Sequence, residues 1–246
     1  MRIDIWSDIV CPFCYVGKRN LEQALAEFEH RDEVEVVWHS FELDPSATEH
    51  PAGSLPELIA GKYQMSLEQA IASQESLAER AREVGLDFNW RQARYGNTFD
   101  AHRVIHYAAE QGLASAAEEA FKLAYFTQGR SVQDHESILD IASEIGLDTA
   151  EVEAVLKSDR YAEHVRADEQ LARQLGINGV PFFLIESKWA VSGAQPAEVL
   201  VQALRQVWEE THRVEFLNPL AGAAGDAAGN NAAEAGPSCD MNGNCS

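Results

Sequence analysis

Cysteine is scarce in this chain. It occurs only at Cys11, Cys14, Cys239 and Cys245, in two close pairs at opposite ends. A small fold held together by disulfides carries them more densely and more evenly, so a structural disulfide framework is excluded. Long apolar runs are missing as well, and nothing approaches the ~20 residues that cross a bilayer. Positive charge is also short: 19 Lys and Arg stand against 40 Asp and Glu, a net charge of −21. A field of that sign repels phosphate backbones and anionic lipid, which excludes nucleic acid and the membrane as primary partners. The acidity itself asks for no role beyond solubility. In the opening segment Asp4 and Asp8 interrupt the apolar residues. A secretory leader needs the opposite pattern, so the cytoplasm is the expected compartment. What remains is ordinary globular composition, in a chain long enough to bury a substantial core.

Arg2 to Trp6 is rich in Ile and Trp and reads as a strand. A short loop, Ser7 to Val10, leads to Cys11-Pro12-Phe13-Cys14. From there to about Glu29, the residues Val16, Leu21, Leu25 and Phe28 recur at helical spacing, and Pro12 fits an early helix position. Glu33 to Phe41 carries Val34, Val36, Val37 and Trp38 and reads as a second strand. Strand, helix and strand in so short a span make a βαβ unit with a parallel pair.

Leu43 to Pro56 is proline-rich and reads as a loop, after which the pattern is helical throughout. Ser66 with Gln69 forms a capping box, with Leu67, Ala70, Ile71, Leu77, Ala78, Ala81 and Val84 on one face. Further helices are expected over Phe99–Gln111, Ala114–Thr127 and Asp134 to Gly146, with a short one capped by Asp148 and Glu151. The next spans about Asp159 to Leu175, with Tyr161, Val165, Leu171, Ala172 and Leu175 inward. Val180 to Ile185 then reads as a buried strand opening at Pro181, and Trp189 to Val191 as its neighbour across a tight turn. Pro196 opens a last helix with Val199, Leu200, Ala203, Leu204 and Val207 on its core face.

The order β-α-β, helices, α-β-β-α predicts an α/β, thioredoxin-like fold with an all-helical inserted domain. Its halves are expected at 1–50 and 158–216, around an insertion at 51–157. Residues 217–246 change composition to Ala, Gly and Asn and read as a flexible C-terminal tail carrying Cys239 and Cys245.

A thiol at a helix N-terminus meets unpaired N–H groups and the positive end of the dipole, which favour the thiolate that disulfide exchange requires. Cys11 is placed there, and is expected to be the exposed nucleophile. Cys14, one turn on, is expected to be the shielded resolving thiol. Redox-active CxxC pairs span about −270 to about −120 mV. Pro12 and Phe13 add no charge that would hold a thiolate, so an intermediate, reducing-to-isomerising range is expected. Phe13, between the cysteines, would offer apolar contact to a substrate. The competing reading of the four cysteines is a zinc site, but the gap between Cys239 and Cys245 is wider than the usual ligand spacing. Adventitious binding of a soft metal by two thiolates stays open. His102 and His106 stand i, i+4, without the accompanying glutamate of a metalloprotease helix. They read as structural, with His102 a candidate for lining the cleft.

Three motifs carry a family resemblance: Ser7-Asp8-Ile9-Val10-Cys11-Pro12-Phe13-Cys14, Asn97-Thr98-Phe99-Asp100-Ala101-His102-Arg103 and Gly179-Val180-Pro181-Phe182-Phe183. Over residues 1 to 212 the chain resembles the DsbA family of thiol–disulfide oxidoreductases, and more narrowly its cytosolic FrnE-like branch. The resemblance implies that Cys11 attacks and Cys14 resolves. It also implies that Pro181 is cis and faces them, leaving the Val180 backbone free to pair with a bound peptide. It implies protein substrates bearing thiols or disulfides, a small-thiol or thioredoxin-type reductant, and no cofactor beyond the redox-active disulfide. Phe13 stands where periplasmic members carry histidine, which argues against a strongly oxidising role. The resemblance extends to kappa-class glutathione transferases and 2-hydroxychromene-2-carboxylate isomerases, which usually carry serine and lack the second cysteine. A metal-sequestering or chaperone module is the remaining alternative. A linker of about 22 residues has a typical span of roughly 25 Å. Cys239 and Cys245 could therefore visit Cys11 as an internal shuttle.

Overall fold

Two short apolar segments near the N-terminus and two beyond residue 180 meet in one sheet. The computed structural model describes residues 1–48 and 51–213. Strand β1 (Arg2–Ser7) pairs in parallel with β2 (Glu35–Ser40), across the helix α1 (Pro12–Glu27). On its other side β1 pairs antiparallel with β3 (Phe182–Ile185), Ile5 opposite Phe183, and β3 pairs antiparallel with β4 (Trp189–Ser192). The sheet order is β2-β1-β3-β4.

Between the strand pairs come α2 (Leu55–Tyr63), α3 (Leu67–Glu83), α4 (Phe99–Glu110), α5 (Ala114–Phe126), α6 (His135–Glu144), α7 (Thr149–Leu156) and α8 (Ala162–Gln174). Helix α9 (Ala197–Thr211) follows β4. This is the thioredoxin-like α/β fold with inserted helices, packed as one compact unit over Met1–Thr211. Cys239, Cys245 and the expected tail lie outside the described residues.

Period-2 alternation sends Ile3, Ile5, Phe183 and Ile185 to one sheet face, where α1 and α9 cover them with Leu21, Phe28, Leu200 and Leu204. Trp6 points the other way, into a small cluster with Ala172 and Ile177. The third core is helical, built around Phe88, Phe121, Tyr125 and Ile138. Ile9, Val10 and Tyr15 flank the cysteine motif and belong to this helical core. The motif is thereby clamped where the sheet meets the inserted helices.

Local signals set most helix ends. Ser66 and Gln69 form their reciprocal cap, and Asp148 accepts from the Ala150 and Glu151 amides. Three expectations fail. Leu55 and Pro56 are the first turn of α2, not loop: Ser54 and Glu57 cap it, and proline is tolerated where its missing N–H has no partner to lose. Helix α8 begins at Ala162 rather than Asp159, because Tyr161 takes a left-handed conformation at φ 63°. Leu67, Leu171, Leu175 and Val199 are exposed, while Ala70, Ala78 and Ala81, Val165 and Ala172, and Leu200, Leu204 and Val207 of the same stripes are buried. No described helix is long and apolar enough to cross a membrane.

Candidate functional site

Residue Cys11 closes β1's loop and caps α1. Its N–H donates to the Asp8 carbonyl at 3.3 Å, and its own carbonyl receives the Cys14 and Tyr15 amides at 3.1 and 3.4 Å. Pro12 occupies the first helical turn, as its sequence position suggests. Opposite stands the Val180–Pro181 bond, which is cis. The Cys11 thiol lies 3.5 Å from the Val180 carbonyl oxygen, to which it donates. Both cysteines are free thiols.

Cys11 is not exposed, contrary to expectation: it is 3% accessible and Cys14 is 2%. The loop at Val180 covers Cys11 from one side. Access comes through a cavity of about 710 Å³ that Cys11, Gly179 and Val180 line and Cys14 does not. Phe13 behaves as expected, 43% exposed at the rim of that cavity. The asymmetry between the two thiols therefore lies in which one faces open space.

Gly17, one turn after Cys14, was not singled out by sequence. A β-carbon there would come within 2.9 Å of Pro181 Cγ and 3.4 Å of Phe183 Cζ. Glycine lets α1 approach the proline loop closely enough to bring Cys11 to Val180. A glycine inside a helical pattern is the signal that could have marked it.

A buried ionic cluster stands behind Cys14, and most of it also escapes sequence reasoning. The Lys122 ammonium, wholly buried on α5, bonds the Glu118 carboxylate one turn earlier and donates to the Ser7 hydroxyl at 3.0 Å. Burial opposes the Lys122 charge, but Glu118, Cys14 and Asp8 outweigh it and raise its titration above the ordinary value. Burial pushes the Cys14 thiol far up, and its contact with Cys11 adds to this, while Lys122 and the Asp8 N–H pull it back. A Glu and a Lys at i, i+4 read as an exposed helix pair, so nothing in the sequence marks them as buried.

His102 does not line the cavity. It is buried beside Asp8, with Nε2 3.4 Å from Oδ1. Burial opposes ionisation of Asp8, but His102, the Leu43 amide and Thr98 hold its carboxyl below the usual range. Burial likewise opposes the His102 charge, and Asp8, Glu118 and Glu42 raise it. His106 instead contacts Ser40 at 3.1 Å and Asp168 at 3.2 Å. Among the described residues no group of three or more His, Cys, Asp or Glu is arranged to hold a metal ion.

A parallel–antiparallel sheet, a CxxC pair at a helix N-terminus and a cis-proline loop facing it define a thioredoxin-fold protein with a dithiol site. The chain belongs to the DSBA-like thioredoxin domain family, which matches residues 2–205. It is similar to a probable DsbA oxidoreductase from Streptomyces coelicolor: 43% identical, covering 100% of this chain and 98% of that one, with a TM-score of 0.83. Two distant structures share the fold. The cytosolic disulfide reductase DsbM from Pseudomonas aeruginosa, solved with GSH, is 19% identical over 83% of this chain and 100% of its own, TM-score 0.59. A 2-hydroxychromene-2-carboxylate isomerase is 17% identical over 86% of this chain and 98% of its own, TM-score 0.63.

Proposed function

We propose that this protein exchanges disulfides in protein substrates through Cys11 and Cys14, as a reductase or isomerase of the cytoplasm. The Cys11 thiolate attacks a substrate disulfide, forms a mixed disulfide and expels the first substrate thiolate. Cys14 then attacks the Cys11 sulfur, the second substrate thiol leaves, and a Cys11–Cys14 disulfide remains. Two electrons pass to the substrate, and a small thiol or a thioredoxin-type reductant returns them. No cofactor beyond the dithiol is needed for this cycle. The Val180 backbone would align an extended substrate chain beside Pro181, and Phe13 would cover its apolar part.

One observation carries this reading: Cys11 lines the cavity while Cys14, buried, does not, and the Lys122 charge pulls the raised Cys14 titration back down. That is the division of labour an attacking and a resolving thiol require, since the cation favours the Cys14 thiolate as it attacks. Glutathione-activating chemistry of the transferase or hydroxychromene isomerase kind has no use for a second thiol. Within the family we assign the chain to the FrnE-like branch, on its three motifs. The reading includes a shuttle role for Cys239 and Cys245, exchanging with Cys11.

Reduction of insulin by a thiol reductant, with wild type against Cys11→Ser, tests the assignment. The wild type is expected to accelerate it and the variant to be inert; full activity in Cys11→Ser contradicts the reading. Truncation after Phe216 tests the shuttle, which requires a changed rate of insulin reduction or of scrambled-substrate isomerisation.

A further inference from the structure

Asp8, in the loop after β1, meets the dithiol with its backbone and the protein interior with its side chain. Its carbonyl receives the Cys11 N–H at 3.3 Å, and its own N–H donates to the Cys14 sulfur. Its buried carboxylate takes the Leu43 N–H on Oδ2 at 2.8 Å. The other oxygen, Oδ1, lies 3.4 Å from Nε2 of His102 on α4, an ion-pair separation without hydrogen-bond geometry.

His102 is wholly buried, and neither of its ring nitrogens makes a hydrogen bond to another described residue. Three buried carboxylates face it: Asp8, Glu42 from the loop after β2, and Glu118 from α5. Glu118 is bonded by Lys122 of α5. Glu42 is bonded at 2.6 Å by Arg166 of α8, which also holds Glu169 at 2.8 Å. Asp8 has one ion pair among the described residues, and it is with His102. A buried histidine so placed works through its charge.

We infer that Asp8 and His102 are positioning residues for the resolving step: His102 neutralises the Asp8 carboxylate, and that carboxylate, anchored to Leu43, holds the amide that receives the Cys14 thiolate. The inference rests on the dithiol reading and assigns two residues to its second half. In that step the Cys14 thiol gives its proton to bulk base and its thiolate attacks the Cys11 sulfur. The bond from Cys11 to the outgoing thiolate then breaks. An Asp8 carboxylate without His102 would oppose a second negative charge at the same loop, and Lys122, which acts on both Asp8 and Cys14, would be divided between them. Burial opposes the His102 charge, but the three carboxylates outweigh it and raise its titration.

The test uses the reduced full chain carrying Cys239→Ser and Cys245→Ser, so that only Cys11 and Cys14 react, with excess dithiodipyridine in stopped flow. Attack by Cys11 releases one thiopyridone, and closure by Cys14 releases a second. Adding His102→Gln is expected to slow the second release about tenfold at neutral pH, which moves its rate-against-pH curve about one unit to the alkaline side, and to change the first by less than about twofold. Adding Asp8→Asn as well removes the carboxylate charge, keeps an oxygen for the Leu43 N–H, and is expected to return the second release to within about threefold of the parent. An unchanged second release in His102→Gln, equal slowing of both releases, or a double variant more than about threefold below the parent overturns the inference. Should His102→Gln fail to fold, the double variant decides by the same threshold. A parent chain with no second release overturns the dithiol reading itself, and so separates the two failures.

Discussion

The Lys122 ammonium and the Ser7 hydroxyl meet at 3.0 Å, joining α5 of the inserted helices to the end of the strand that delivers the cysteine motif. Lys122 also bonds Glu118 and acts on Cys14 by its charge. The inserted helices thus contribute to the electrostatics behind the dithiol, beyond covering the sheet.

Lys122→Met leaves Glu118 buried without its partner. The expected loss of stability is about 3–5 kcal/mol, and replacing both with Lys122→Met and Glu118→Leu is expected to recover most of it. Urea unfolding of the single and double variants measures this. The double variant also lacks the cation that favours the Cys14 thiolate, so its intramolecular closure onto Cys11 is expected to slow. Closure at the wild-type rate contradicts a role for Lys122 in that step.

Gly17→Ala puts a methyl group within 2.9 Å of Pro181 Cγ. The atoms it meets are side-chain atoms of Pro181 and Phe183, and the proline ring is fixed to its own backbone, so relief requires α1 and the proline loop to separate. A stability loss of about 1–3 kcal/mol is expected, with slower exchange, because Cys11 moves from Val180. Unfolding midpoint and peptide exchange rate read the two effects.

Stability should depend on pH through His39. Its Nδ1 meets Asp168 at 2.7 Å and its Nε2 meets Asp4 at 2.8 Å, under the stacked ring of Trp6. Burial opposes the His39 charge, but the two carboxylates outweigh it and raise its titration. Burial opposes ionisation of Asp168 too, but bonds from His106, His39 and the Ser40 amide hold it far below the ordinary carboxylate range. A raised histidine contributes stability that is full below its unfolded value of about 6.5 and lost as pH rises through its folded value. A depressed aspartate contributes stability that is full above about 3.9 and lost as pH falls. The folded state should therefore be favoured most by this network between the two. Denaturant midpoints across that window should fall on the alkaline side in wild type and flatten there in His39→Asn.

Alkylation should separate the two thiols. Cys11 lines the cavity, whereas Cys14 does not, and its thiol is held far above its ordinary titration by burial and by Cys11. Brief treatment with iodoacetamide at neutral pH, read by peptide mass, is expected to label Cys11 well before Cys14.

Features local in sequence were legible in it. The caps at Ser66–Gln69 and Asp148–Glu151 and Pro12 in the first turn each follow from neighbouring residues, whereas the strand expected from Val180 opens only at Phe182, after the cis Val180–Pro181 bond. Long-range features were not. Lys122 and Glu118 lie on a helix remote in sequence from Cys14, at a spacing that reads as an exposed pair. Val199, Leu171 and Leu175 keep helical period but are exposed, and periodicity alone cannot tell a stripe's centre from its edge. Cys11 looked exposed because the covering loop at Val180 arrives only through the fold.

The most direct test of the dithiol mechanism is to stop it halfway. Cys14→Ser removes the resolving thiol and leaves the cavity-facing one. Incubated with a peptide disulfide and analysed by intact mass and peptide mapping, it is expected to accumulate one peptide in mixed disulfide with Cys11, released by dithiothreitol. A variant that reduces the disulfide at the wild-type rate, or that carries no adduct on Cys11, contradicts the account.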